Sequence, residues 1–268
     1  MLHVLTSHTI SPRWIEIQTH HLRQHISVPF QTWASIQLID PAHGAHFDRI
    51  VDQKGAQAGK LNHLAVEVLR EADEDDLLMF LDGDAFPVAD PMPRIEAALK
   101  TAPLIAVRRA ESAGDPQPHP CFCVTSAASW RRLAGDWSDG YVFSDERGRR
   151  VTGLGANLLR RLELTGTPWV QLLRSNPTRL DPLFFAIYGE IVYHHGAGEG
   201  GGLSRAHRDL APAPGTRLPL PGAVAARLET GRRRLWERRV QRGYLRHSEE
   251  LHARIARGDP DWLADVRR

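Results

Sequence analysis

Two aspartates, Asp82 and Asp84, follow an unbroken apolar run that extends from Leu77 to Leu81. Such a run is typical of a strand in the middle of a parallel sheet, and ligands of open α/β sheets bind beyond the carboxyl ends of these strands. Carboxylate oxygens are the ligands that Mg²⁺ and Mn²⁺ prefer, and a divalent cation can stabilise the charge on a departing diphosphate. The acidic pair therefore predicts a metal site that acts on a diphosphate, while a plain Asp-Gly-Asp turn is the structural alternative.

Alternating signals for strands and helices surround the acidic pair. Between Gly59 and Ala72, apolar residues recur at helical spacing with charged residues on the opposite side, which predicts a helix before the acidic strand. Further strands are predicted at 2–10, 30–39, 104–108, 121–125 and, less regularly, 184–193. Further helices are predicted at 11–26, 91–100, 127–133 and 151–164, whereas 43–52 is ambiguous. This alternation predicts an α/β fold with a mixed central sheet flanked by helices.

The segment Leu81-Asp82-Gly83-Asp84-Ala85-Phe86-Pro87 resembles the DxD site of GT-A fold glycosyltransferases. Small bacterial members of that family also have a strand that ends in a turn similar to Tyr193-His194-His195-Gly196. The resemblance covers about residues 2–200. It implies a GT-A-like catalytic domain at 1–210, with a nucleotide-sugar half at 1–110 and an acceptor half at 111–210. It also implies a hexosyltransferase-like enzyme that uses a UDP- or GDP-linked sugar donor and Mn²⁺ or Mg²⁺.

The same resemblance assigns roles to individual residues. Asp84 would be the principal metal ligand, and Asp82 would contact the ribose or reach the metal through water. His194 or His195 would supply an imidazole ligand; only one of them is expected to do so, since neighbouring strand residues face opposite ways, and His194 is favoured. The donor-binding set would comprise Thr6, Ser7, His8, Lys60, Asn62, Asp82, Gly83 and Asp84.

A general base is required if the transfer inverts configuration, because a carboxylate must then take the proton of the acceptor hydroxyl. Asp139, Asp145 and Glu146 are candidates, since they lie in the polar stretch between two predicted helices where such families build acceptor sites. Each could equally be an ordinary loop charge. The sequence specifies neither the stereochemical outcome nor the acceptor, which could be a glycan, a lipid-linked compound or a small molecule.

Two other functions are compatible with the same residues. A nucleotidyltransferase also uses carboxylates and Mg²⁺, but it would usually have a basic, glycine-rich loop after the first strand, where this chain has Thr6-Ser7-His8-Thr9-Ile10. A non-catalytic protein that binds nucleotide-sugars on a transferase scaffold is the second alternative. The sequence contains no P-loop motif, no dinucleotide-binding glycine motif after its first strand and no Gly-x-Ser-x-Gly motif.

The composition is that of an ordinary globular protein with a nearly neutral charge. A net charge of +2 argues against a chain built mainly to coat nucleic acid. No stretch approaches the roughly 20 apolar residues that cross a bilayer, and the opening residues indicate a first strand. Cys121 and Cys123, one residue apart, are expected on one face of a strand as reduced packing residues. These features predict a cytoplasmic protein.

The final 58 residues, 211–268, differ from the rest of the chain. A proline-containing linker at 211–221 precedes a predicted helix at about 223–257, which is rich in arginine. The arginines are Arg232, Arg233, Arg234, Arg238, Arg239, Arg242 and Arg246. Three interpretations stay open: a solvated helix packed on the domain, a peripheral helix that contacts anionic lipid at the inner membrane face, or contact with nucleic acid, the least favoured.

Overall fold

The computed structural model describes residues 1–112, 114–145, 148–178, 183–196 and 222–268. Its strands are β1 (Leu2–Thr9), β2 (Phe30–Gln37), β3 (Arg49–Ile50), β4 (Leu77–Asp82), β5 (Ala85–Pro87), β6 (Leu104–Val107), β7 (His119–Ser126), β8 (Phe143–Ser144), β9 (Arg150–Val151), β10 (Val170–Leu172), β11 (Ala186–Tyr188) and β12 (Val192–His194). Its helices are α1 (Ile15–His25), α2 (Gln57–Glu71), α3 (Met92–Leu99), α4 (Ala127–Arg132), α5 (Ala156–Thr165), α6 (Gly222–Ala256) and α7 (Trp262–Arg267), with a 3-10 helix at Pro41–His46.

A seven-stranded sheet in the order β10-β6-β7-β4-β1-β2-β3 forms the centre of the fold. β1 pairs in parallel with both β2 and β4, whereas β7 runs antiparallel to its neighbours β4 and β6. Side chains alternate along the strands, so Val4 and Met79 belong to one apolar cluster while Leu5 and Phe80 belong to another. The predicted α/β fold with a mixed sheet flanked by helices is confirmed.

A second sheet, in the order β11-β12-β5, lies beside the carboxyl end of β4. β5 follows β4 after a two-residue turn, and β12 pairs antiparallel with β5, so that His194 is opposite Ala85. This small sheet places the end of β12 next to the acidic turn.

The C-terminal helices pack on the small sheet. Tyr244 and Leu251 of α6 and Trp262 of α7 share an apolar cluster with Phe86 and Tyr193. The helical C-terminal segment is thus confirmed, and its second half joins the core. The predicted linker at 211–221 and the domain boundary at 210 lie outside the described residues, so the division into two segments stays a prediction. None of the described helices has the length and apolar character needed to span a membrane.

Two local predictions need correction, and one ambiguous segment is now assigned. The helix predicted from 151 begins only at Ala156, because Arg150–Val151 pairs with β8 and Gly155 takes a left-handed φ of 83° in contact with the Pro118 carbonyl. The strand predicted at 184–193 is a hairpin, since Gly189 and Glu190 both have positive φ. The ambiguous segment 43–52 contains the end of the 3-10 helix and β3.

The two cysteines also depart from the expected arrangement. Both are buried free thiols, as predicted. However, Cys121 packs in the cluster of Met79, whereas Cys123 packs in the cluster of Phe80. The pairing of β7 with β6 shifts register between Ala106 and Val107, and this irregularity breaks the alternation that would place both thiols on one face.

Candidate metal centre and substrate pocket

Asp82, Asp84 and His194 converge where the two sheets meet. Each offers one ligand atom, and these atoms lie within 4.8 Å of one another. The His194 Nε2 atom is 3.5 Å from Asp82 Oδ2 and 3.3 Å from Asp84 Oδ1. Two carboxylates and an imidazole form a donor set that suits Mn²⁺ or Mg²⁺, so the residues present fit the predicted cation.

Gln18 of α1 fixes the backbone of the acidic turn. Its side-chain amide donates two hydrogen bonds of 2.7 Å, to the carbonyl oxygens of Asp82 and Ala85. Its Oε1 atom lies 3.1 Å from His8 Nε2, so the imidazole donates to it. Gln18 has no exposed surface, and each of these polar groups would lose a buried hydrogen-bond partner without it. α1 therefore sets the position at which the two carboxylates leave the sheet.

Gly83 allows the acidic turn to approach β1 closely. A Cβ atom on Gly83 would lie 2.6 Å from the Ser7 carbonyl oxygen and 2.9 Å from His8 Nδ1. Ser7 is held in place by its parallel pairing with Asp82. A side chain at position 83 would therefore displace the acidic turn, and glycine is required here by space.

The two carboxylates have different environments. Burial raises the pKa of Asp82 to about 6, with repulsion from Asp84 adding to the effect and His194 opposing it. Burial acts in the same direction on Asp84, but the charge and hydrogen bond of His194 outweigh it and lower the pKa of Asp84 to about 2. Burial would lower the pKa of His194, yet Asp84 raises it well above its usual value. A protonated His194 thus balances the carboxylates, as a divalent cation would.

His195 lies outside the cluster. Its Nδ1 atom is 2.8 Å from the Tyr193 hydroxyl and its Nε2 atom is 2.6 Å from Ser248 Oγ on α6. The ring also contacts Trp14 and Phe185, with centroid distances of 4.5 and 5.0 Å. Both nitrogens are engaged, so the structure brings only His194 of the two predicted histidines to the aspartates.

A cavity of about 570 Å³ opens beside the cluster, which is the size of a small-molecule site. Ser7, His8 and Gly83, three of the predicted donor-binding residues, line it together with Asp82 and Asp84. Arg109, His119 and Leu154 also line the cavity.

The other predicted donor-binding residues lie behind this wall or away from it. Thr6 is fully buried, and its Oγ1 atom has no hydrogen-bond partner among the described residues. Lys60 is only 1% exposed and donates a hydrogen bond of 2.6 Å to Thr9 Oγ1, so it supports the cavity wall indirectly. Asn62 donates to Asp136 and accepts from the backbone N–H of Trp137, which keeps it in a structural contact between α2 and the 136–138 loop.

Of the three candidate bases, the structure describes Asp139 and Asp145, and neither of these two lines the cavity. Asp139 is exposed and does not line it. Asp145 is buried and paired with Arg149, whose backbone N–H and guanidinium both donate to it. Glu146 lies outside the described residues.

Several site residues have no signal in a sequence motif. Gln57 donates a short hydrogen bond to Asp82 Oδ1. Arg109 lines the cavity from the segment just after β6, and His119 lines it from the first residue of β7. Only Gln18 has a signal in the local pattern, because it is a polar residue on the apolar face of α1, between Ile15 and Leu22. Arg109 and His119 reach this side of the cavity because β7 pairs antiparallel with both β4 and β6, which spacing along the chain does not reveal.

Fold and site together define an α/β protein with a carboxylate and imidazole cluster that could hold a divalent cation, placed at a small-molecule cavity. No family model matches the sequence, and no curated protein matches it. The chain is similar to several solved structures, among them two that are described as a mannosyltransferase and a glycosyltransferase.

The mannosyltransferase PcManGT from Pyrobaculum calidifontis, solved with GDP-Man and Mn²⁺, is 16% identical, with 66% of this chain and 57% of that chain covered and a TM-score of 0.43. The glycosyltransferase GlyE of Streptococcus pneumoniae is 15% identical, with 63% and 44% covered and a TM-score of 0.40. S. aureus TarS is 11% identical, with 51% and 30% covered and a TM-score of 0.37. The chain thus spans less than two thirds of each of these structures. Because this likeness is distant, function has to be inferred from the site.

Proposed function

We propose that this protein is a metal-dependent glycosyltransferase that moves a sugar from a UDP- or GDP-linked donor to an acceptor. The observation that carries the proposal is the cluster of Asp82, Asp84 and His194 at the end of a buried central strand, facing a cavity of suitable size. Carboxylates in this position are expected to bind a cation rather than to close a turn, because a plain turn would not need a buried imidazole between them.

The residues of the cluster would have distinct roles. Asp84 would be the principal ligand, because it stays ionised down to low pH and its other oxygen accepts a hydrogen bond from the Gly196 N–H. His194 would supply the imidazole ligand. Asp82, already bonded to Gln57, would contact the cation through water or bind the ribose. A bound Mn²⁺ or Mg²⁺ would stabilise the negative charge on the departing diphosphate.

The wall beside β1 would hold the nucleoside. Ser7 and His8 line the cavity there, and burial lowers the pKa of His8 to about 4, so its ring is neutral at pH 7. A neutral ring can contact a base or ribose without adding charge. Thr6 and Lys60 would act through the positions of Ser7 and Thr9, and a donor contact by Asn62 would require it to leave Asp136.

The acceptor and the base stay open. The acceptor could be a glycan, a lipid-linked compound or a small molecule, and Asp139, Asp145 and Glu146 stay candidate bases. We also propose a cytoplasmic protein that makes peripheral membrane contact through α6. The exposed Arg232, Arg233 and Arg234 and the neighbouring Leu235, 67% exposed, support that contact.

The test is a thermal-shift screen with UDP and GDP in the presence and absence of Mn²⁺, followed by hydrolysis assays with a panel of nucleotide-sugars. We expect stabilisation by one nucleoside diphosphate that depends on Mn²⁺, and slow hydrolysis of the matching sugar donor. Binding without turnover of any donor, tested with a panel of acceptors, would favour a non-catalytic binding protein. Release of pyrophosphate from a nucleoside triphosphate and a sugar phosphate would favour a nucleotidyltransferase.

A further inference from the structure

Arg109 is a cation in the cavity wall whose charge acts on Asp82, and it donates no hydrogen bond among the described residues. Its one ion pair among the described residues is with Asp115, at 3.7 Å from Nη2 to Oδ2, which is too long for a hydrogen bond. Its buried Nε atom has no hydrogen-bond partner in the same residues. Neighbouring Arg108 differs, since it donates to the carbonyl oxygens of Gly114 and Asp115 and to Gln171. A guanidinium with unused donors in a cavity is suited to bind an anion.

His119, on the same wall, offers a second donor. The Cys121 backbone N–H donates to His119 Nδ1 at 3.1 Å, so that nitrogen carries no proton. An imidazole ring with an unprotonated Nδ1 must carry its proton on Nε2. His119 is therefore a donor toward a ligand, and its protonated Nε2 cannot bind a cation.

These donors lie on the side of the cluster opposite the predicted nucleoside wall. In the sheet, β7 and β6 follow β4 on one side, while β1 and β2 follow it on the other. Arg109 and His119 thus face the part of the cavity that the transferred sugar or the acceptor would occupy if Ser7 and His8 border the nucleoside. Glu111, the nearest acidic residue in sequence, accepts a hydrogen bond from the Tyr188 hydroxyl.

We propose that Arg109 and His119 form an anion-binding subsite, which takes a carboxylate or phosphate group of the transferred sugar or of the acceptor. The placement of the subsite relative to the donor rests on the proposed function. Leu154 completes the wall with an apolar surface, which a sugar ring can contact. The enzyme would accordingly act on an acidic sugar or a phosphorylated acceptor in preference to a neutral one.

The experiment measures binding of glucuronic acid, glucose 6-phosphate and neutral glucose by calorimetry, with and without Mn²⁺ and the preferred nucleoside diphosphate. We expect the wild-type protein to bind at least one anionic sugar about tenfold or more tightly than glucose, as expected for hydrogen bonds to a charged group. Arg109→Gln should abolish this preference, Arg109→Lys should keep part of it, and Arg108→Gln should leave it unchanged. A thermal melt of each variant verifies folding.

Two further measurements distinguish an anionic group on the donor sugar from one on the acceptor. Faster hydrolysis of a nucleotide-linked glucuronate than of the glucose analogue, lost in Arg109→Gln, would place the carboxylate on the donor sugar. Tighter binding of glucose 6-phosphate to the complex with nucleoside diphosphate would place the anion on the acceptor.

Three outcomes would overturn the subsite: equal binding of anionic and neutral sugars, an unchanged preference in Arg109→Gln, or a loss of nucleoside diphosphate affinity in that variant. The last would mean that the guanidinium binds the diphosphate. Failure of the proposed function looks different, because the wild-type protein would then not bind nucleoside diphosphates with Mn²⁺, while an Arg109-dependent preference for anions would still be measurable.

Discussion

Two adjacent histidines at the end of β12 have different environments. On the cavity side, His194 faces two carboxylates that raise its pKa well above the usual value. On the side of the C-terminal helices, His195 is hydrogen-bonded at both nitrogens, and burial lowers its pKa to about 3. Adjacent histidines therefore divide into a candidate ligand and a packing residue.

This difference shows how a ligand is distinguished from a structural histidine. A metal ligand needs a nitrogen lone pair that faces other ligand atoms, and His194 Nε2 meets this condition. His195 does not, because its partners Tyr193 and Ser248 belong to the packing of the small sheet against α6.

Asp84→Asn should reduce donor hydrolysis about a thousandfold, equivalent to about 4 kcal/mol of transition-state stabilisation. The amide removes the charge that holds the cation but keeps an oxygen to accept the Gly196 N–H, so the fold should survive. Steady-state rates and thermal melts measure the two effects. The control is Asp75→Asn at an exposed aspartate; an Asp84→Asn rate as high as that of this control would remove Asp84 from the mechanism.

His194→Ala and His195→Ala should have opposite phenotypes. The first should weaken Mn²⁺ binding strongly and leave the protein folded. The second should leave Mn²⁺ affinity almost unchanged but lower the free energy of unfolding by about 3 kcal/mol, because it removes two buried hydrogen bonds and aromatic packing. Calorimetric titration and urea denaturation measure these quantities. A greater loss of Mn²⁺ affinity in His195→Ala than in His194→Ala would reverse the assignment.

Gln18→Met should lower the free energy of unfolding by about 2 kcal/mol and also weaken Mn²⁺ binding. The substitution keeps the volume of the side chain but leaves the carbonyl oxygens of Asp82 and Ala85 and the His8 ring without their partner. Gln24→Met, at an exposed position of the same helix, is the matched control. If both variants denature at the same urea concentration, Gln18 does not support the acidic turn.

Mn²⁺ binding at pH 7 should release about one proton, and affinity should increase with pH. His194 is protonated without the cation because its pKa is raised, so it must lose that proton to become a ligand. His195 is already neutral and contributes none. Calorimetry in buffers of different ionisation enthalpy counts the protons. Binding without proton release would show that His194 is not a ligand.

Much of the fold follows from local patterns in the sequence. The apolar run at Leu77 to Leu81 and the helical spacing after Gly59 correspond to β4 and α2, because both elements carry their burial pattern in consecutive residues. The rule that neighbouring strand residues face opposite ways also anticipated the division of His194 and His195. The hairpin at Gly189 and Glu190 was not predictable, since positive φ at a glutamate is imposed by tertiary structure.

The site was less predictable than the fold. The acidic turn carries a motif, but its support by Gln18 and its neighbours Arg109 and His119 come from elements distant in sequence. The irregular pairing of β7 with β6 likewise has no local signal, and it separates Cys121 from Cys123. Contacts that form through sheet pairing between distant segments cannot be predicted from residue spacing in one sequence.

The most direct test of the metal centre is anomalous diffraction from a crystal soaked with Mn²⁺ and the preferred nucleoside diphosphate. We expect a manganese peak coordinated by an oxygen of Asp84, an oxygen of Asp82 directly or through water, and Nε2 of His194, with His195 still bonded to Ser248. A diphosphate bound without manganese at this position, or a peak coordinated elsewhere in the chain, would contradict it.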